Sequence, residues 1–344
     1  MLVNLRVMAK RVVVYIQYIF FIALAAFFVW LSLRNLNAEK WQLLKDSLSR
    51  AKFVVFVPVL FLLLLSHWFR ALRWKMLIQP LGYSPGNLNT FFGVMVGYFV
   101  NLGAPRLGEI IKCTVLARYE KVPADKLVGT IVAERAFDLV CLIIVTTTTL
   151  ILEFDVIGAF AMNTIQPLYQ SKSGSFSLTK IIIIVTVILA VIFLFRLLFR
   201  RFLHLNFVKR LKVILAGIWH GLTSIRLVKN RPLFLFYTAA IWVLYLVSTL
   251  LGFQVLEETS GLGIAAAFSV LVMGSVGMIM SPGGIGAYPW LIQQTIQLYG
   301  IEAEPYGQAL GWLLWAGQFI IFIVFGTLSF ILLPVLNKKK NAKT

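Results

Sequence analysis

The chain is 344 residues long, 60% hydrophobic and only 13% charged, with a mean hydropathy of +0.89. A soluble globular domain carries about 25% charged residues and breaks up its apolar runs, so that class is excluded and an all-α, polytopic integral membrane protein is expected. Against the apolar background stands an excess of base, 32 Lys and Arg against 13 Asp and Glu, for a formal net charge of +19.

The first apolar run, about 12–33, follows Arg6, Lys10 and Arg11. It is too long for a signal-peptide core and lacks a convincing cleavage site, so it reads as a retained signal anchor. Residues 32–52 read as a short amphipathic surface helix carrying Trp41, Leu44 and Leu48. Further runs near the ~20 residues needed to cross ~30 Å of hydrocarbon lie at 53–69, 127–152, 178–199, 233–256 and 308–335. His67, Trp68, Arg70, Arg73, Trp74 and Lys75 read as an aromatic and basic belt at a cytoplasmic interface. Two other apolar regions are interrupted: 88–119 at Asn101-Leu102-Gly103-Ala104-Pro105, and 262–300 at Ser281-Pro282-Gly283-Gly284-Ile285-Gly286. The basic segment 196–232 has Leu211, Ile214, Leu215, Ile218, Leu222 and Ile225 at helical spacing. It reads either as an interfacial helix on an anionic leaflet or as a set of topology signals. The expectation is a single transmembrane domain over 1–344, with about six spanning helices, two broken segments and a basic tail at 337–344.

If each broken region is a re-entrant hairpin and the N-terminus is cytoplasmic, the positive-inside rule can be applied. Inside segments then collect three Lys/Arg before the first run, three at 70–87, five at 106–126, nine at 196–232 and four in the tail, 24 of the 32. The loop 32–52, with five, fits poorly. The two hairpins then enter from opposite sides, as inverted-topology repeats would. Gly97 to Pro105 and Gly274 to Pro282 share one spacing. The alternative is a bundle of eight to ten helices with ordinary kinked spans. Both termini are expected in the cytoplasm of a bacterial or archaeal cell, with the chain multi-pass in the cytoplasmic (inner) membrane.

Ionisable residues at bilayer depth cost at least ~2.5 kcal/mol each on insertion scales, and two groups stand there: Arg106, Glu109 and Lys112 at i, i+3, i+6, and Glu134, Arg135 and Asp138 within the run that begins near Leu127. Each group makes one polar helix face, and helix rise places both near the membrane centre. One reading is a lipid-phosphate site, with Arg106 and Arg135 as forked ligands, Lys112 as a point charge and the acids holding the arginines. The other is a structural network fastening hairpin to bundle through Glu109–Arg135 or Arg106–Glu134 pairs. Asn101 either caps the following helix or binds ligand. Gln293, Gln294 and Gln297 add uncharged polarity that can line a cavity. Cys113 and Cys141 give no disulfide framework, and no two of the three histidines have metal-ligand spacing, so no metal, cofactor or nucleic-acid partner is expected.

The segments Asn101–Glu109, Glu134-Arg135-Ala136-Phe137-Asp138 and Ser281–Gly286 together resemble the transmembrane region of lysylphosphatidylglycerol synthase, the flippase-like domain family. The resemblance runs from about 12 to 335. Pro105, Gly108, Glu109, Glu134, Arg135, Asp138, Pro282, Gly283, Gly284 and Gly286 match its pattern, with Gly103 at the first tip. It implies lipid translocation, since in the two-domain synthases this region is thought to move aminoacylated phosphatidylglycerol between leaflets. Two departures stand out. Pro289 occupies a position where the family often has an acid, and no aminoacyl-transferase domain is present, so this chain is not expected to make lysyl-lipid.

The favoured expectation is therefore a flippase for an anionic, aminoacylated or polyprenyl-phosphate lipid. The chain has no Walker-type phosphate loop, so ATP hydrolysis is not expected of it. The alternatives are a membrane-embedded headgroup or glycosyl transferase and a cell-envelope accessory subunit. No Asp-x-Asp pair, His cluster or Ser/Cys–His arrangement supports the enzyme.

Overall fold

The computed structural model describes residues 19–104, 106–154 and 223–341, and these are helical with no strand among them. The expected span at 178–199 and nearly all of the basic segment 196–232 lie outside the described residues, as does Pro105. In chain order the helices are α1 (Ile19–Leu33), α2 (Ala38–Ser49), α3 (Phe53–Ile78), α4 (Asn87–Gly103), α5 (Leu107–Glu120) and α6 (Ala124–Leu152). They continue with α7 (Arg231–Phe253), α8 (Ile264–Met280), α9 (Ala287–Gln297) and α10 (Gln308–Asn341).

Three stretches among the described residues are long and apolar enough to cross a membrane: Phe53–Leu81, Arg231–Phe253 and Ala303–Lys338. The bent pair α1–α2, with 94° between its helices, makes a fourth if counted as one span. At 29 residues α6 is equally long, but Asp125, Lys126, Glu134, Arg135 and Asp138 charge its first half. Large apolar side chains such as Val54, Phe61, Ile151 and Ile331 stand exposed on the outer faces of these helices. Such a surface is stable against lipid, where an aqueous protein would hide it. The chain is a polytopic membrane protein.

Asn37 begins α2 by accepting the Lys40 backbone N–H on its side-chain oxygen at 2.8 Å, the usual satisfaction of a free helical donor. Leu44 is buried and Trp41 lies out on the surface, so the helix is two-faced.

Helices α4 and α5 fold back on one another. Gly97 lies against Gly108 and Lys112, and Gly93 against the Lys112 carbonyl, so the arms run antiparallel. In α8 and α9 the same is done by Gly274 and Gly277, which leave room for Tyr288 of the return arm. Missing side chains let two backbones approach where lipid offers no hydrophobic drive for helix association. Each outgoing arm has 17 residues, about 25 Å of helix.

The connections sort to two ends. At one, Lys75 bonds Asn87, Asn89 bonds Glu120 and Asn337, and Val228 packs with Met76 and Leu77. At the other, Lys52 bonds Val255, Asn35 bonds Glu304, Arg50 bonds Glu258 and Tyr299 bonds Glu153. The base of the α4–α5 hairpin is at the first end and that of α8–α9 at the second. Their tips meet in the interior, where a Cβ on Gly283 would lie 2.7 Å from the Leu102 side chain.

Candidate functional site

Helix α3 continues nine residues past the boundary at 69 expected from hydropathy, to Ile78, which moves Arg70 and Arg73 from an interface into the bundle and leaves Lys75 at its end. His67, Arg70, Arg73 and Trp74 are buried, so the reading of these residues as an interfacial belt is corrected. The physical reason is pairing. Arg70 Nη1 donates to Asp138 Oδ2 at 2.6 Å and to Glu134 Oε1 at 3.3 Å, and Arg73 Nη2 donates to Asp138 Oδ1 at 2.6 Å. A guanidinium keeps its charge and meets a carboxylate with a fork of donors, so two arginines can sit in apolar surroundings once two acids face them.

Glu134 takes its other bond from Lys112, whose Nζ is 2.7 Å from Oε2 and 4.5 Å from the centre of the Trp74 ring. Trp74 in turn donates its indole N–H to Thr130 Oγ1 at 2.8 Å. On the more open side, Arg135 Nε donates to Glu109 Oε1 at 2.9 Å, with the Arg135 side chain 45% exposed and that of Glu109 30%. The Glu109–Arg135 pair anticipated as structural is thus formed. Arg106 makes no ion pair among the described residues, so the Arg106–Glu134 alternative is not. It is exposed, with a left-handed backbone (φ +67°) just ahead of α5.

Asn101 Oδ1 accepts the Gly108 N–H at 2.9 Å, capping α5 across the break from the end of α4. Beyond it opens a cavity of about 760 Å³ between the two tips. Arg70, Arg106, Glu109, Arg135 and Asp138 line one side, with Asn101 and Leu102 from the first tip and Pro282 and Gly283 from the second. Lys112, Glu134 and Arg73 lie behind that wall and do not reach the cavity. The seven charged or polar residues singled out from the sequence therefore converge, in two layers. Asn101, Arg106, Glu109, Arg135 and Asp138 face the cavity, and Lys112 and Glu134 form a buried support.

At the second tip, Gly283, Gly284 and Gly286 all have positive φ, +57°, +73° and +72°. Trp315 of α10 holds the tip by donating its indole N–H to the Gly283 carbonyl at 2.9 Å. Gly286 sits directly on the α1 backbone at Phe28 and Val29. Gly103 has open space around its Cα. Gln293 is buried but donates to Glu304 at 2.6 Å, while Gln294 and Gln297 are exposed. None of the three lines the cavity; Gln318 of α10 does. Among the described residues no group of three His, Cys, Asp or Glu is placed to hold a metal ion.

The description "Lysylphosphatidylglycerol synthase TM region" matches residues 18–324, most of the chain and every element of this site. The chain belongs to that family. It is also 34% identical over 117 residues to a UPF0104 membrane protein of Methanocaldococcus jannaschii, a match that covers 32% of this chain and 33% of that protein. The chain therefore spans about a third of the length of that curated relative. No solved structure matches.

Within this member of the lysylphosphatidylglycerol synthase transmembrane family, the three sequence segments become two tips and the helix facing them. The arginines of α3 were missed because the apolar run was ended at residue 69. The signal was present, since His67, Arg70 and Arg73 repeat the i, i+3, i+6 spacing that marked Arg106, Glu109 and Lys112. Pro289 is buried against the backbone of Gly311, where it takes no part in the cavity.

Proposed function

We propose that this chain is a lipid translocase of the cytoplasmic membrane, passing the phosphate-bearing headgroup of a lipid between leaflets through the cavity between the two hairpin tips. The single observation that carries this reading is the cavity itself: about 760 Å³ inside an apolar bundle, with Arg70, Arg106 and Arg135 on its wall. A lipid headgroup crossing hydrocarbon needs a polar half-way station of about this size. With Arg73 and Lys112 behind the wall, five cations face three carboxylates. That excess suits an anion.

The hairpins are read as re-entrant segments of two inverted halves, each stopping at mid-depth with its ends on one face, an arrangement that other transporters use to expose one site alternately. The basic end, with Lys75, Arg118, Lys121, Lys126, Arg226, Lys229 and Arg231, is assigned to the cytoplasm. The membrane potential, protons or a lipid gradient would supply the driving force.

The test is reconstitution into liposomes carrying fluorescent lipids whose leaflet is read by a membrane-impermeant quencher. The wild-type chain is expected to move an anionic phospholipid, and Arg135→Ala to abolish movement. Labelled lipids that stay in their leaflets with and without an imposed potential would overturn the reading.

A further inference from the structure

We infer that the headgroup carried by this cavity is an uncharged, hydroxyl-bearing substituent on a phosphate, such as a glycerol or a sugar ring, and not an amine. This rests on the translocase reading and narrows it to a substrate class.

The first ground is the use already made of every acid in the charged wall. Glu134 is held by Lys112 and Arg70, Asp138 by Arg70 and Arg73, and Glu109 by Arg135. An ammonium group entering here would meet Arg70, Arg106 and Arg135 with no carboxylate left to pair with. A phosphate meets the same arginines favourably.

The second ground is the opposite character of the wall made by α3 and α7. His67 is 2% exposed and lines the cavity, yet neither ring nitrogen has a hydrogen-bond partner. The Trp242 indole N–H also lacks one on the same cavity. Trp242, Tyr245, Ser248 and Thr249 fall on one face of α7 and all line the space. Ser248 and Thr249 give their protons to the Tyr245 carbonyl at 2.8 and 2.9 Å, which leaves their oxygens as acceptors. A neutral imidazole offers one donor and one acceptor, and an indole one donor. Donors and acceptors without net charge are what a hydroxyl group needs, since it both gives and takes a hydrogen bond. Buried polar groups that go unpaired cost free energy, so a ligand that pairs them is selected over one that does not. The Tyr98 and Phe322 rings beside His67, at 4.9 and 5.3 Å, offer apolar faces to the carbon skeleton.

The experiment measures lipid retained by the purified full-length chain, using native mass spectrometry and phospholipids with identical acyl chains. Phosphatidylglycerol and phosphatidylinositol carry hydroxyls, phosphatidylmethanol has the same charge without them, and phosphatidylethanolamine and lysyl-phosphatidylglycerol carry amines. The hydroxyl-bearing pair is expected to be retained about tenfold over the others. His67→Phe and Trp242→Phe should bring the ratio of phosphatidylglycerol to phosphatidylmethanol to about one. Amine-headed lipid retained as well as phosphatidylglycerol overturns the inference on the wild type alone. So do well-folded His67→Phe and Trp242→Phe chains that keep the original ratio. Selective retention without movement in liposomes would sink the translocase reading and leave the headgroup assignment standing. Movement with indifferent retention would do the reverse.

Discussion

Glu134 and Arg135 are neighbours in sequence and belong to different layers of the site. Glu134 is 1% exposed and compensates two buried cations, Arg70 and Lys112. Removing one partner from such a set leaves charge stranded in low dielectric, which costs about 3–5 kcal/mol. Arg135 pairs with Glu109 on the open side, where water screening reduces such a pair to below about 1 kcal/mol. Glu134→Gln is therefore expected to lower the thermal melting point in detergent strongly. Arg135→Ala should leave it nearly unchanged while stopping lipid movement. Equal melting shifts in the two variants would refute the division into a buried support and a working face. Much of this was legible beforehand, because a charge at bilayer depth is expensive enough to need a reason, and six such residues stood out. What could not be read was which cation meets which acid. The pairs Arg70–Asp138 and Lys112–Glu134 link residues 68 and 22 positions apart, and nothing local in the chain encodes those contacts.

A hairpin whose arms touch through glycine tolerates almost no added volume at the crossing and a good deal beside it. A Cβ on Gly108 would run into the Gly97 carbonyl and the Asn101 side chain. The first is backbone and cannot rotate away, and the second is the oxygen that caps α5. Gly103, five residues earlier, has nothing within 4 Å and is the last residue of α4. Gly108→Ala is accordingly predicted to prevent the hairpin from closing and to remove the monodisperse peak in fluorescence-detected size exclusion. Gly103→Ala should behave as wild type or gain up to about 1 kcal/mol of helix propensity. If both alanines are tolerated, the close approach of α4 and α5 is wrong. The Gly- and Pro-rich interruptions announced two breaks in the sequence, and the matching Gly-to-Pro spacing hinted at a common plan. Gly97 and Gly274 turn out to do the same job of admitting the return arm. The contact of the tips at Leu102 and Gly283 was not readable, because it joins segments about 180 residues apart through one glycine with positive φ.

Among the described residues, the basic side chains outside the central site fall at two unlike ends. One gathers Lys75, Arg118, Lys121, Lys126, Arg226, Lys229 and Arg231 with few acids. The other holds the five basic residues of 32–52, which fitted the positive-inside count poorly, together with Glu257, Glu258 and Glu304. There Lys40 lies 3.3 Å from Glu304, and Arg50 lies 3.1 Å from Glu258 and 4.0 Å from Glu257. Lys40 and Arg50 clamp α2 onto the connections around α8 and α9, so these two of the five serve packing at that end. The orientation proposed above rests on the other basic end. In a chain with Cys113 and Cys141 replaced by Ser, single cysteines at the exposed positions Lys126 and Glu302 separate the two ends. In sealed right-side-out vesicles an impermeant maleimide is expected to label Glu302→Cys at once and Lys126→Cys only after the membrane is opened. The opposite order would invert the molecule while preserving opposed hairpins. Labelling of both from one side would place the two hairpin bases on the same face, and the meeting of their tips from opposite leaflets could not survive that result.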